Sequence, residues 1–385
     1  MRTNILCYGL LFVNLSKIIF ISFPNLLLFM MNDDLFTAFC SNRNIKDSTI
    51  KSYRSAILKY ESFHKRSMKD LIDEAIKEDE SLIPLKNRRI KTRLLDFRAF
   101  LLDSDLSIGT VRTYFSRIRT FYRHFEIELP YLNDISLNEE YLSSYGDLPT
   151  KKDIWRACDI SSLDFKAVIL FISSSGCAKA ETLSLTIGDF IKATRDYHNG
   201  ESIEEILQLL AGRGDIVPTF YLRRVKTNKF YHAFCSPEAS HYIVKYLLSR
   251  ENLTLEDKLF DFTHSSLVYN FKKVNDKLGL GFVGRYRLFR SHSLRKYHAS
   301  NIGLSNECID ALQGRAKTKV HEAYIKTNQK KLKEIYISAM HNVMVSDEWI
   351  ERNDVKKEER SIVIERQVIN IVINFSLDGM DYRVE

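Results

Sequence analysis

Between Glu126 and Thr150 the chain loses the apolar periodicity it keeps on either side, and the stretch carries Pro130 and Pro149. Proline fixes φ and removes a backbone donor, so such a stretch interrupts regular structure and suits a linker. The 385 residues are enough for two bodies of ordinary size, each with its own core. The expected organisation is a hydrophobic segment 1–31, a helical domain 32–130, a linker 131–150, a larger domain 151–343 and a tail 344–385.

The first body reads helical from about Asp47. Ser48-Thr49-Ile50-Lys51-Ser52-Tyr53 resembles a capped helix start, and Ile50, Tyr53, Ile57 and Tyr60 follow at core-like spacing. Further helices are expected over Arg88 to Leu102 and from Ile108 to His124. In the last, Val111, Tyr114, Phe115, Ile118, Phe121 and Tyr122 form an apolar stripe. Arg112, Arg119 and Arg123 project opposite it, within about 40° of one another at roughly 100° per residue. From Lys86 to Arg123 there are ten Lys or Arg against three Asp, a local excess beyond the formal net charge of +8. A row of guanidinium groups on a rigid helix fits phosphate contacts along a duplex.

The second body reads as helices over Lys151 to Ile160 and Leu163 to Ser174, with another after Glu181 to Asp189. An insertion-like segment, Tyr197 to Asp215, holds a short helical stretch from Ile203 to Leu210. Val217 to Phe234 alternates as strands do, with Thr227-Asn228 as the turn. Lys258 to Met340 reads mainly helical, and an Ile/Val-rich run, Ile362 to Ile373, closes the tail. The fold class is therefore mainly α with a small β-hairpin, an α+β arrangement.

Composition is that of a globular chain, 45% hydrophobic and 28% charged. The six cysteines (7, 40, 158, 177, 235 and 308) have no zinc-ligand spacing, so they read as reduced thiols in a cytoplasmic protein with no metal site. Met1 to Met31 is rich in Leu, Ile and Phe but broken by Asn14, Lys17, Pro24 and Asn25. It lacks a small-residue cleavage site, and its cleanest apolar run, from Ile18, is too short to span a membrane. It reads as a membrane anchor, an added segment, or an upstream start codon misassigned in translation. The last is preferred, with translation starting near Met31 and no membrane partner.

The chemistry concentrates at Phe289-Arg290-Ser291-His292-Ser293-Leu294-Arg295-Lys296. A His and an Arg three apart share one helical face, where imidazole and a bidentate guanidinium can hold one phosphate between them. Val320-His321-Glu322-Ala323-Tyr324 follows about thirty residues later, and a tyrosine hydroxyl brought to that phosphate completes the parts for covalent DNA strand cleavage. The pattern resembles the tyrosine recombinase (phage-type integrase) family over Thr49 to Met340. The archaeal integrases are the nearest in pattern, judged by Leu148-Pro149-Thr150-Lys151 and Leu312-Gln313-Gly314-Arg315.

The resemblance implies an N-terminal helical core-binding (SAM-like) domain and a catalytic domain. It implies site-specific recombination or integration by a type IB route: a homotetramer on double-stranded DNA exchanges strands through a 3′-phosphotyrosyl link. Because that link conserves bond energy, neither ATP, metal nor small-molecule cofactor is expected. Tyr324 is then the nucleophile, preferred over Tyr336 by register. His292 acts as acid/base, Arg295 clamps the non-bridging oxygens, and Lys226, on the hairpin turn Arg223-Arg224-Val225-Lys226-Thr227-Asn228-Lys229, protonates the leaving 5′ oxygen. Arg315 stands nine residues before Tyr324, where the family usually has His or Trp.

One position departs from the pattern. Ser175-Gly176-Cys177-Ala178-Lys179-Ala180-Glu181 has Ala178 where the family writes its first arginine. Lys179 offers a point charge from the next position. Ala178 keeps open a second reading, a decayed integrase that binds DNA without cleaving it.

Overall fold

The computed structural model describes residues 33–135, 145–315, 328–349 and 351. The 1–31 segment, Tyr324 and the Ile362 to Ile373 run lie outside the described residues. The chain divides into two compact units, one ending at Tyr141 and the other beginning at Leu142. The architecture is mainly α with a small antiparallel sheet.

The first unit holds five helices among its described residues: α1 (Asp33–Asn42), α2 (Asp47–His64), α3 (Met68–Glu80), α4 (Arg89–Asp103) and α5 (Ile108–His124). The α5 bounds agree with the sequence reading, because the apolar stripe is unbroken and Ser107 caps the helix by accepting from the Thr110 N–H. Val111, Phe115, Ile118, Phe121 and Tyr122 are buried there, and the Tyr60 and Tyr122 hydroxyls meet at 3.2 Å between α2 and α5. Helix α2 begins at Asp47 as expected, but its capping differs: the N-cap is Lys46, with no side-chain cap. Helix α3 carries a Ser67/Asp70 capping box, a signal that its sequence did contain.

Residues 127–135 have no helical period, yet Ile127, Leu132 and Ile135 bury their side chains in the first core. Three arginines hold this segment. Arg98 donates to the Asn133 carbonyl at 3.1 Å, Arg112 Nε to the Ile135 carbonyl at 2.6 Å, and Arg119 pairs with Asp134 at 3.6 Å.

The second unit opens with α6 (Lys151–Asp159), capped by a Thr150/Asp153 box, and α7 (Leu163–Ser175). Helix α7 is buried from Ala167 to Ser175 with no polar face, so it forms the centre of this unit. Around it come α8 (Lys179–Ser184), α9 (Ile187–Ala193), α10 (Ile203–Ala211), α11 (Pro237–Leu248), α12 (His264–Lys277), α13 (Ser291–Asn301), α14 (Asn306–Leu312) and α15 (Gln329–Ala339). Strands β1 (Thr219–Arg223) and β2 (Phe230–Phe234) pair antiparallel, with Arg223 opposite Phe230. Phe220 and Leu222 point inward, while Tyr221 and Arg223 face out. A second hairpin, β3 (Phe282–Val283) with β4 (Tyr286–Arg287), lies in the stretch expected to be helical. Two-residue strands are too short to show a period, and Gly281 and Gly284, both at positive φ, bend the chain there. No helix among the described residues is long and apolar enough to cross a membrane.

Candidate active site

The site is assembled around the C-terminal end of α7. Gly176 caps that helix at φ 65°, and its carbonyl accepts from Arg295 Nη1 on α13. The other terminal nitrogen of Arg295 donates to the Gln313 carbonyl at 2.8 Å, just past α14. One guanidinium thus ties α13 both to the distant end of α7 and to the segment after α14. Gln313 returns the tie: its amide nitrogen donates to the Arg295 carbonyl at 3.1 Å and lies 3.0 Å from His298 Nδ1. Its Oε1 accepts from Arg315 Nε at 3.1 Å.

The electrostatics of this cluster are unfavourable in isolation. Arg295 is 7% exposed, and no carboxylate among the described residues pairs with it. Burial first, then the nearby charge of Arg224, with a further contribution from Arg315, lowers its pKa. His292, exposed on the first turn of α13, has its pKa lowered by partial desolvation and then by Arg290, Lys296, Arg295 and Arg315. The imidazole is therefore neutral near pH 7 and able to accept a proton. His298 is fully buried and pushed down to about 3 by burial, so it is a neutral structural partner of Gln313 rather than a second base. Arg315 has a carboxylate neighbour, Asp310 at 3.5 Å, but the buried Arg295 has none among the described residues, and a cation held in this way forms a site for an anion.

The β1–β2 turn is fixed to the same region. Glu181 on α8 is 2% exposed; its carboxylate accepts the Val225 N–H at 3.1 Å and pairs with Arg224 at 3.0 Å. Arg224 and Lys229 share a 2.7 Å backbone bond, and Asn228 takes the left-handed conformation at φ 61°. Lys226, exposed on this turn, is positioned by the anchored residues on its N-terminal side.

The structure thus brings Arg295, His292, Arg315 and, through Glu181, the Lys226 turn to the end of α7. Lys179 opens α8 half-buried, and burial alone lowers its pKa, with no contribution from the arginines of the cluster. In the first unit Arg112 and Arg119 share their guanidinium groups with residues 134–135, whereas Arg123 is exposed. Tyr324 lies outside the described residues. Tyr336, the other tyrosine weighed from sequence, is fully buried, donates to the Ser174 carbonyl at 2.9 Å and has its pKa raised by burial. It serves packing. Arg224 is the residue that sequence reasoning passed over: it falls within the expected hairpin turn, but nothing in the spacing announces its pairing with Glu181. Among the described residues no group of three His, Cys, Asp or Glu side chains is placed to hold a metal.

No family model and no curated protein matches this chain. Solved structures of site-specific recombinases and integrases are similar to it at low identity. The XerH site-specific recombinase bound to difH substrate is 17% identical with a TM-score of 0.45, over 78% of this chain and 82% of that one. The Tn1549 transposon integrase in complex with transposon right-end DNA is 11% identical with a TM-score of 0.44, over 78% and 96%. XerA recombinase is 16% identical with a TM-score of 0.33, over 79% and 96%.

Proposed function

We propose that this chain is a tyrosine recombinase that cuts and rejoins double-stranded DNA through a covalent 3′-phosphotyrosyl intermediate. The observation that carries the reading is the buried Arg295 bridge from Gly176 to Gln313, which joins the end of α7 to the segments that carry His292 and Arg315 and leaves Arg295 without a carboxylate partner among the described residues.

In the first step the Tyr324 oxygen attacks the scissile phosphorus while neutral His292 takes the phenolic proton. A phosphorus–oxygen bond forms to tyrosine, the bond to the 5′ oxygen breaks, and Lys226 delivers a proton to that oxygen. Arg295 and Arg315 neutralise the non-bridging oxygens, where charge builds in the transition state. Attack by a 5′ hydroxyl reverses these steps and reseals a strand. The chain's own residues provide acid, base and charge, so the scheme includes no metal. A homotetramer on paired DNA sites is the working assembly, and the row Arg112, Arg119 and Arg123 is a backbone contact of the first unit.

Ala178 favours a second reading, a DNA-binding chain that no longer cleaves. One experiment separates the two. Nicked duplexes from DNA flanking the chain's own coding sequence are incubated with protein in chelator and quenched with detergent. A covalent adduct that disappears in Tyr324→Phe supports the recombinase; retarded DNA with no adduct supports the decayed form.

A further inference from the structure

Position 178 is the gap in the phosphate site, and the fold offers another guanidinium beside it. Ala178 stands between Gly176, whose carbonyl holds Arg295, and Glu181, whose carboxylate holds Arg224. The partners of the two arginines therefore lie on either side of Ala178 within one six-residue segment. Arg224 is well placed for more than surface solvation. Its side chain is 15% exposed, it is oriented by a carboxylate that is itself 2% exposed, and the pair sits at 3.0 Å. A second contact from the same carboxylate to the Val225 N–H, at 3.1 Å, locks the backbone beside it. Nη1 of Arg224 is buried and, despite the close ion pair, makes no well-aligned hydrogen bond.

A guanidinium aimed by a buried acid is pre-organised for bidentate binding of a phosphate, which a lysine cannot match. The charge of Arg224 acts on Arg295, so the two guanidinium groups lie near one another. Lys179, by contrast, carries no trace of either arginine. From this geometry we infer that Arg224 supplies the second phosphate-clamping guanidinium of the site, in place of the arginine that position 178 lacks. This rests on the recombinase reading, and it assigns to Arg224 a catalytic role on a non-bridging oxygen as Tyr324 attacks. The mode of replacement is simple: the charge arrives from the hairpin rather than from the start of α8, and Glu181 sets its direction.

The test uses the full chain and a nicked duplex whose cleavage position has been mapped with the unsubstituted protein. The same duplex is then made with a methylphosphonate at that position, which removes one negatively charged oxygen. Arg224→Ala is expected to slow adduct formation on the phosphate substrate by about 100-fold or more, the scale for losing one preorganised donor. On the methylphosphonate the penalty is expected to shrink to a few-fold, because there is less charge to neutralise. Adding Ala178→Arg to Arg224→Ala is expected to restore much of the phosphate rate. If Glu181, left unpaired, prevents Arg224→Ala from folding, Arg224→Lys keeps the pair and removes only the fork. Its loss is then smaller on phosphate and again relieved on methylphosphonate. An equal loss on both substrates would make Arg224 a structural support and overturn the inference while leaving the recombinase reading intact. No adduct from the unsubstituted chain on any substrate would overturn both.

Discussion

Gly176 shows how tightly single residues are fixed in this site. It ends α7 in the left-handed region, at φ 65°, where other residues are strained by about 1 kcal/mol. A Cβ there would stand 2.6 Å from both Gln313 Nε2 and His298 Nδ1, inside the packing of α13 against α7. Overpacking of that kind costs about 1–3 kcal/mol more. Gly176→Ala is therefore expected to lower the unfolding free energy of the second unit by about 2–4 kcal/mol, read from urea denaturation. Adduct formation should fall with it, because the carbonyl that holds Arg295 moves. The two tyrosines divide in the opposite sense. Tyr336→Phe loses one buried hydrogen bond to Ser174, worth about 1 kcal/mol, and is expected to leave adduct formation at the wild-type level. Loss of the adduct in that variant, with Tyr324 intact, would reassign the nucleophile.

At the scale of elements, the arginine row of α5 has a structural job whether or not DNA meets it. Arg112 reaches the Ile135 carbonyl and Arg119 pairs with Asp134, so both also hold residues 127–135 on the first core. Arg123 is exposed near the end of the helix. Arg123→Ala is expected to weaken DNA binding for all sequences alike and to reduce the slope of log affinity against log salt by about one, with no change in stability. Arg112→Ala should weaken binding too, but with about 1 kcal/mol of lost stability from the broken bond. Fluorescence anisotropy across a salt series, beside urea denaturation of each variant, separates these outcomes. The same helix shows what the sequence could disclose. A long amphipathic run with a serine cap fixes both ends of α5, whereas α11 is missing from the sequence reading although Ser236 caps it and Pro237 opens it. The two-residue β3 and β4 had no period to detect. For the candidate site, the expectation of His292, Arg295, Lys226 and Arg315 rests on order and spacing, which can be read in one dimension. The pairing of Arg224 with Glu181 was not, since it depends on the hairpin folding back over α8.

At the scale of the whole molecule, a buried glutamate and a histidine withdrawn from water titrate in opposed senses in each unit, Glu61 with half-buried His64 and Glu238 with buried His298. Glu61 and Glu238 are both held near a pKa of about 7, raised first by burial. His64 is lowered to about 4 and His298 to about 3, again with burial as the leading cause. For the glutamates the fold favours the protonated form, so their contribution is complete below the ordinary value of 4.5 and is lost as pH rises through about 7. For the histidines the fold favours the neutral form, so their contribution is complete above the ordinary 6.5 and is lost as pH falls toward 4 or 3. Over pH 4.5 to 6.5 the two slopes cancel in part, and the wild-type stability curve is expected to be shallow there. Glu238 also accepts the Val345 and Ser346 N–H groups at 3.1 Å each, so it fastens residues 345–346 to α11. Glu238→Gln removes one of the opposed titrations and keeps the shape of the side chain. Relative to wild type, the variant is expected to gain stability as pH rises from 4.5 to 7, by on the order of 3 kcal/mol across the window. Urea denaturation of both proteins at pH 5, 6, 7 and 8 gives the difference directly. A difference that stays constant with pH would mean that Glu238 is ionised in the fold throughout, with the two N–H donors and the nearby Lys166 and Lys151 outweighing its burial.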